Sequence, residues 1–185
     1  MLLLRLPHKG VAVYGCAIAD GANLSDERAT VARLIDEAFG GQSLCLEHAQ
    51  SGAPYVPGRP ESVSVTHCRG LAALAVCVGG GKVGIDAESF CRDAQLRRVA
   101  VKFLSEGQLP HWQATDASLL RAWTIKESLY KGAGIPGLPL KEIPLPEACA
   151  GNMERCTVCL RGKSFCLYDV DVPWFDGLVT LAAEI

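Results

Sequence analysis

The sequence predicts an α+β protein made of two similar halves. Three observations carry that expectation. Strand-like, helical and again strand-like patterns follow one another twice along the 185 residues. No Ser/Gly-rich linker or low-complexity stretch separates the two runs, and 49% apolar residues suffice to fill a substantial core. The division falls near residue 85, giving an N-terminal half of 1–85 and a C-terminal half of 86–185.

Residues 10–19 (GVAVYGCAIA) have the composition of a strand, and Ser25-Asp26-Glu27 then supplies an N-cap and an acidic first turn. The helix that follows runs to about Phe39, with Val31, Leu34, Ile35 and Ala38 at helical spacing, Arg33 on the open face and Gly40-Gly41 as its stop. Short strands are expected over 43–48, in the Gly-Ala-Pro-Tyr-Val segment, and over 62–66, 71–78 and 83–85, with Gly and Pro between them. Helical spacing returns after Arg92 through Leu96, Val99, Ala100, Phe103 and Leu104, and a longer helix extends from about Asp116 to Lys131. Gly162-Lys163 reads as a hairpin turn between two strands, and residues 177–183 form the last strand.

A net charge of −2 does not suit a protein that coats nucleic acid or an anionic membrane, since either needs a basic face. No apolar run reaches the ~20 residues of a membrane span. Nine cysteines would imply disulfides in a secreted chain. The opening apolar run, however, is broken by Arg5, Pro7 and Lys9 and is no signal peptide, so reduced thiols and a cytoplasmic location are expected. Cys156 and Cys159 form a C-x-x-C with no second pair at zinc spacing. Repetition inside one chain favours a monomer.

Two glycine triplets, Gly79/Gly81/Gly84 and Gly132/Gly134/Gly137, satisfy G-x-G-x-x-G. Neither follows a strand and opens a helix, as a dinucleotide-binding loop must, so both are read as turns. Asp86 and Glu88 carry more information. Two apart on an extended segment, they point the same way and would face one pocket, although D-x-E alone also describes a polar strand end turned to water. On the long helix Leu119, Trp123, Lys126 and Tyr130 fall on one stripe, which puts an ammonium group where a core residue is expected. It needs a partner, or must snorkel to solvent. Glu127 and Lys131, four apart, also have the spacing of a surface ion pair.

Gly84-Ile85-Asp86-Ala87-Glu88 and Trp123-Thr124-Ile125-Lys126-Glu127-Ser128-Leu129-Tyr130-Lys131 together resemble the two signature motifs of the Sfp-type 4'-phosphopantetheinyl transferases. Thr66-His67-Cys68, Gly52-Ala53-Pro54-Tyr55 and Ala32-Arg33-Leu34-Ile35 are weaker likenesses to further family segments, so the resemblance spans about residues 25–140. It implies a pseudo-twofold α+β fold with the active site between the halves. It implies Mg2+ held by Asp86, Glu88 and Glu127, and coenzyme A bound by Arg33, Thr66, His67, Lys126 and Lys131. The catalytic roles would fall to Glu127 as general base, with Lys131 and His67 on the phosphates, and the partner would be an apo acyl or peptidyl carrier protein. The chain departs from the pattern at Thr66 and Cys68, where serines are usual, and at Ala53, where a lysine is frequent. Two readings from other classes stand beside it: a non-catalytic module binding coenzyme A or a carrier, and a Mg2+ phosphohydrolase. The latter lacks a further Asp or His cluster near the motifs.

Overall fold

A computed structural model describes residues 2–6, 10–150 and 155–185; Pro7 and Lys9 lie outside these. Its elements are β1 (Leu2–Leu6), β2 (Val11–Cys16), α1 (Leu24–Phe39), β3 (Glu47–His48), β4 (Pro54–Tyr55), β5 (Ser62–Cys68), β6 (Leu71–Cys77), β7 (Val83–Ser89), α2 (Asp93–Phe103), α3 (Leu109–Trp112), α4 (Asp116–Ala133), β8 (Cys156–Leu160), β9 (Lys163–Asp169) and β10 (Gly177–Glu184). Two four-stranded antiparallel sheets result, ordered β1-β2-β6-β5 and β7-β10-β9-β8, with β3 and β4 as a separate ribbon. In each sheet the strand preceding the helical segment pairs with the last strand of its half: β2 with β6, and β7 with β10. The class is α+β, as expected.

Alternation along the strands builds three cores. Leu34 and Ile35 of α1 meet Tyr14, Val63, Leu74 and Val76 on one face of the first sheet. The other face presents Val11, Val13, Leu71, Ala73 and Ala75 to Val83, Ile85, Val179 and Leu181 of the second sheet. The far side of that sheet packs Phe165, Leu167 and Ala182 against Leu119, Ala122, Ile125 and Leu129 of α4, with Leu96, Ala100 and Phe103 of α2 behind. β6 and β7 are therefore buried at every position, which matches the continuous apolar run of β6 and in β7 encloses Asp86, Glu88 and Ser89 as buried polar residues.

Several boundaries differ from the sequence expectation for identifiable reasons. The sheets part in segment 78–82, so residue 85 lies inside β7, and Asp86 and Glu88 sit within a buried strand instead of at a strand end. The N-cap of α1 is Asn23, whose side chain accepts from Ser25 N and Asp26 N while Asp26 answers on Asn23 N at 3.0 Å. Residues 43–46 form no strand. The β8–β9 turn is Arg161-Gly162, both with positive φ (53° and 79°), as a two-residue hairpin of the primed type requires. Cys149 and Cys156 are joined as a disulfide, which corrects the expectation that all the thiols are reduced. Among the described residues no helix is long and apolar enough to cross a membrane.

Candidate functional site

The site lies where the edge strand of one sheet meets the edge strand of the other. Strand β10 takes one edge of β7, which leaves the N–H groups of Ile85 and Ala87 directed at β5 without a backbone ladder to receive them. Side chains do so instead. Ile85 N donates to Ser64 Oγ at 3.0 Å and Ala87 N to Thr66 Oγ1 at 3.1 Å, so two hydroxyls stitch the sheets together. Ser64 and Thr66 share the β5 face that looks at β7. Val63, Val65 and His67 take the opposite face, toward α1.

The second positioning contact is between backbones. A Cβ on Gly84 would lie 2.0 Å from Ser128 O and 2.4 Å from Gly132 N, so α4 crosses β7 as closely as two chains can. Gly84 and Gly132 are thus contact residues in a strand and a helix, a correction to their reading as turns. Gly134 (φ 61°), at the C-cap of α4, and Gly137 (φ 72°) do turn the chain.

This approach delivers one stripe of α4 to the seam. Trp123, Glu127 and Lys131, spaced by four, are only partly buried on a helix otherwise enclosed almost all round. Lys131 Nζ donates to Asp86 Oδ1 at 2.7 Å, to Ile85 O at 3.0 Å and to Val65 O at 3.5 Å, using all three protons across both sheets. Thr66, His67, Asp86, Glu88, Glu127 and Lys131 line one cavity of about 260 Å³. Trp123, Arg92, Val65 and Ala87 complete its wall.

Two residues expected there stand elsewhere. Lys126 is fully buried on another face of α4, and its Nζ donates to Leu140 O at 2.6 Å and Ile143 O at 2.8 Å. It closes the turn after the helix and reaches neither cavity described here. Lys126→Met is therefore expected to destabilise the protein by about 2–3 kcal/mol through unsatisfied carbonyls, while leaving ligand affinity at the cavity unchanged. Chemical denaturation and a binding isotherm measure the two effects separately; weakened binding with unaltered stability would return Lys126 to the site. Arg33 is exposed on α1 and lines no described cavity. The α1 residue that does reach the site is Glu27, whose carboxylate lies 3.3 Å from His67 Nδ1.

Glu27 and Arg92 were not singled out from sequence. Glu88 lies on a strand, so its spacing of four from Arg92 carried no helical signal, and the two meet as an ion pair only through the 3-10 turn after β7. Glu27 was not readable either, since only the packing of α1 on the first sheet brings it to His67.

The acids carry an electrostatic load. Burial raises the pKa of Asp86 despite the neighbouring Lys131 ammonium and the Thr66 hydroxyl. Burial likewise raises Glu88 against the opposing Arg92 guanidinium, and raises Glu127, to which the Asp86 charge adds. Burial, with Glu88 and Asp86 nearby, pushes the Cys68 thiol up to about 12, so no thiolate is available beside the site.

Among the described residues, no three His, Cys, Asp or Glu side chains stand as a finished metal-ligand cluster. The donor set nevertheless suits a hard cation. Asp86 Oδ2 is buried without a hydrogen-bond partner, three carboxylates line one small cavity, and all three are disfavoured as anions where they stand. A divalent ion would take the orphaned oxygen and relieve the three charges together.

A second cavity, of about 810 Å³, meets the first at Lys131. Gly52, Ala53, Pro54 and Tyr55 form part of its wall, and Arg59, Lys82 and Lys163 supply its positive charge. No protein-family model matches the chain, and no curated protein is similar to it.

Proposed function

We propose that the protein is a 4'-phosphopantetheinyl transferase, moving the phosphopantetheine arm of coenzyme A to a serine of an apo carrier protein and releasing 3',5'-ADP. The observation that carries the reading is the convergence of Asp86 and Glu88 from β7 with Glu127 and Lys131 from α4 on one cavity, with Asp86 Oδ2 left unpartnered. The doubled strand–helix–strand topology, read here as the pseudo-twofold fold of that family, agrees with it, as do the two motifs that place these residues.

Asp86, Glu88 and Glu127 would hold Mg2+, which when bound neutralises pyrophosphate charge and polarises the phosphorus under attack. His67, at the end of β5, donates to a phosphate oxygen while Glu27 orients its ring. Lys131 fixes Asp86 and gives the phosphates a positive wall. Glu127 takes the proton of the serine hydroxyl as its oxygen bonds to the phosphorus bearing pantetheine; the bond from that phosphorus to the bridging oxygen breaks, and 3',5'-ADP departs with the electron pair. The larger cavity beyond Lys131 has the size and cationic lining for the nucleotide end of coenzyme A, with Arg59, Lys82 and Lys163 in the place that Arg33 was expected to fill.

The test is incubation of the purified protein with coenzyme A, Mg2+ and a panel of apo carrier proteins, read by intact mass. A gain on a carrier equal to the mass of one phosphopantetheine group, dependent on Mg2+, is expected. Saturable coenzyme A binding with no mass change on any carrier would replace the transferase by a binding module.

A further inference from the structure

Arg92 enters the cavity from the short 3-10 turn that follows β7. Its Nη1 pairs with Glu88 Oε2, and its Nε donates to Gln95 Oε1 at 3.1 Å. The Arg92 side chain is 44% exposed and that of Glu88 only 5%, so a solvated guanidinium caps a carboxylate sunk in the wall. Each acid of β7 thus already has an internal cation, Lys131 on Asp86 and Arg92 on Glu88.

The two cations are held differently. Lys131 is committed to two main-chain carbonyls as well as Asp86, and withdrawing it would unpick the seam between the sheets. Arg92 touches only side chains in its polar contacts here, stands at the rim, and has a five-donor fork of which the Glu88 and Gln95 contacts use two N–H groups. A few torsions would swing it off Glu88 and over the cavity without breaking any backbone hydrogen bond.

We propose that Arg92 is an exchangeable counter-ion. It neutralises Glu88 while the acidic cavity lacks a cation; a divalent ion that takes Glu88 releases the guanidinium, which then grips the anionic ligand in a forked manner. Metal and polyphosphate binding are thereby coupled through one side chain. The inference rests on the metal-site reading of Asp86, Glu88 and Glu127, and its test needs no turnover.

Mn2+ serves as a spectroscopic stand-in for Mg2+ and inorganic pyrophosphate as the anion, with affinities measured by electron paramagnetic resonance and calorimetry. Arg92→Gln is expected to bind Mn2+ about 5- to 10-fold more tightly, because the competing charge is gone. The same variant, loaded with Mn2+, is expected to bind pyrophosphate about tenfold more weakly. Arg92→Lys keeps the charge and loses the fork, so its Mn2+ affinity should stay within about twofold of the parent while pyrophosphate binding weakens. Should the Gln variant fail to fold, this pair of readings on the Lys variant decides alone. Parent protein that binds Mn2+ in a manner sensitive to Asp86→Asn, with the two affinities of Arg92→Gln unmoved or moved in the same direction, overturns the counter-ion role and leaves the metal site standing. Parent protein with no such Mn2+ site sinks both.

Discussion

Glu127→Gln is expected to lower phosphopantetheine transfer by roughly 10²- to 10⁴-fold or more, with the fold intact. The amide keeps the shape of the side chain on the open stripe of α4 while removing both the basic oxygen and one negative charge from the cavity. Its effect on stability has a definite sign. Burial and the Asp86 charge raise the pKa of Glu127 in the folded protein, so the ionised carboxylate is disfavoured there relative to the unfolded chain. At neutral pH a neutral isostere should therefore leave the melting temperature unchanged or slightly higher. On the proposed reading coenzyme A binding should largely survive, because its phosphates would be met by His67, Lys131 and the cationic residues that line the larger cavity. Time courses of carrier mass, together with calorimetry and a thermal melt, separate these outcomes. Near-parental transfer by this variant would remove Glu127 from the chemistry.

Gly84→Ala should produce the largest structural effect of a single methyl group in this chain. The added carbon would stand 2.0 Å from Ser128 O and 2.4 Å from Gly132 N, and both are backbone atoms of a helix that cannot rotate out of the way. Strand β7 is pinned on its other side by β10 and along its edge by Ser64 and Thr66, so α4 must lift. Overpacking of this kind costs about 3 kcal/mol, or a fall of about 6–12 °C in melting temperature for a chain of this size. Function should suffer beyond the stability loss, because lifting α4 draws Glu127 and Lys131 away from Asp86. Gly132→Ala is the control: its Cβ would meet Phe165 Cε1 at 3.2 Å and Gly84 N at 3.3 Å, a contact that small shifts relieve. Alanine also gains about 1 kcal/mol of helix propensity over glycine, so that variant should lie within about 1 kcal/mol of the parent. Equal melting of the two variants would show that the Gly84 contact does not set the helix position.

The parts of the fold legible in the chain are those with local causes. The course of α1 follows from an apolar face at helical spacing and a glycine stop, and α4 was placed within two residues of its observed end because Gly134 leaves the helical conformation. The hairpin of β8 and β9 was visible from its glycine, with the register displaced by one residue because two positive-φ positions are needed and Arg161 supplies the first. The D-x-E spacing sufficed to put Asp86 and Glu88 on one side of a strand, as alternation demands.

Choosing between chemically equal groups required the tertiary structure. Lys126 and Lys131 are both lysines of one helix; the apolar spacing that suggested Lys126 holds only for a helix buried on one face, whereas α4 is enclosed on nearly all sides and opens along Trp123, Glu127 and Lys131. Arg33 and Glu27 both ride on α1, and the way that helix lies over β6 and β2 of the first sheet brings the acid to His67 and leaves the arginine in solvent. Residue types, helix caps and strand alternation follow from interactions a few residues apart and can be read in order along the chain. Which charges face a common cavity depends on burial by segments dozens of residues away, and only the folded arrangement of β5, β7 and α4 settles it.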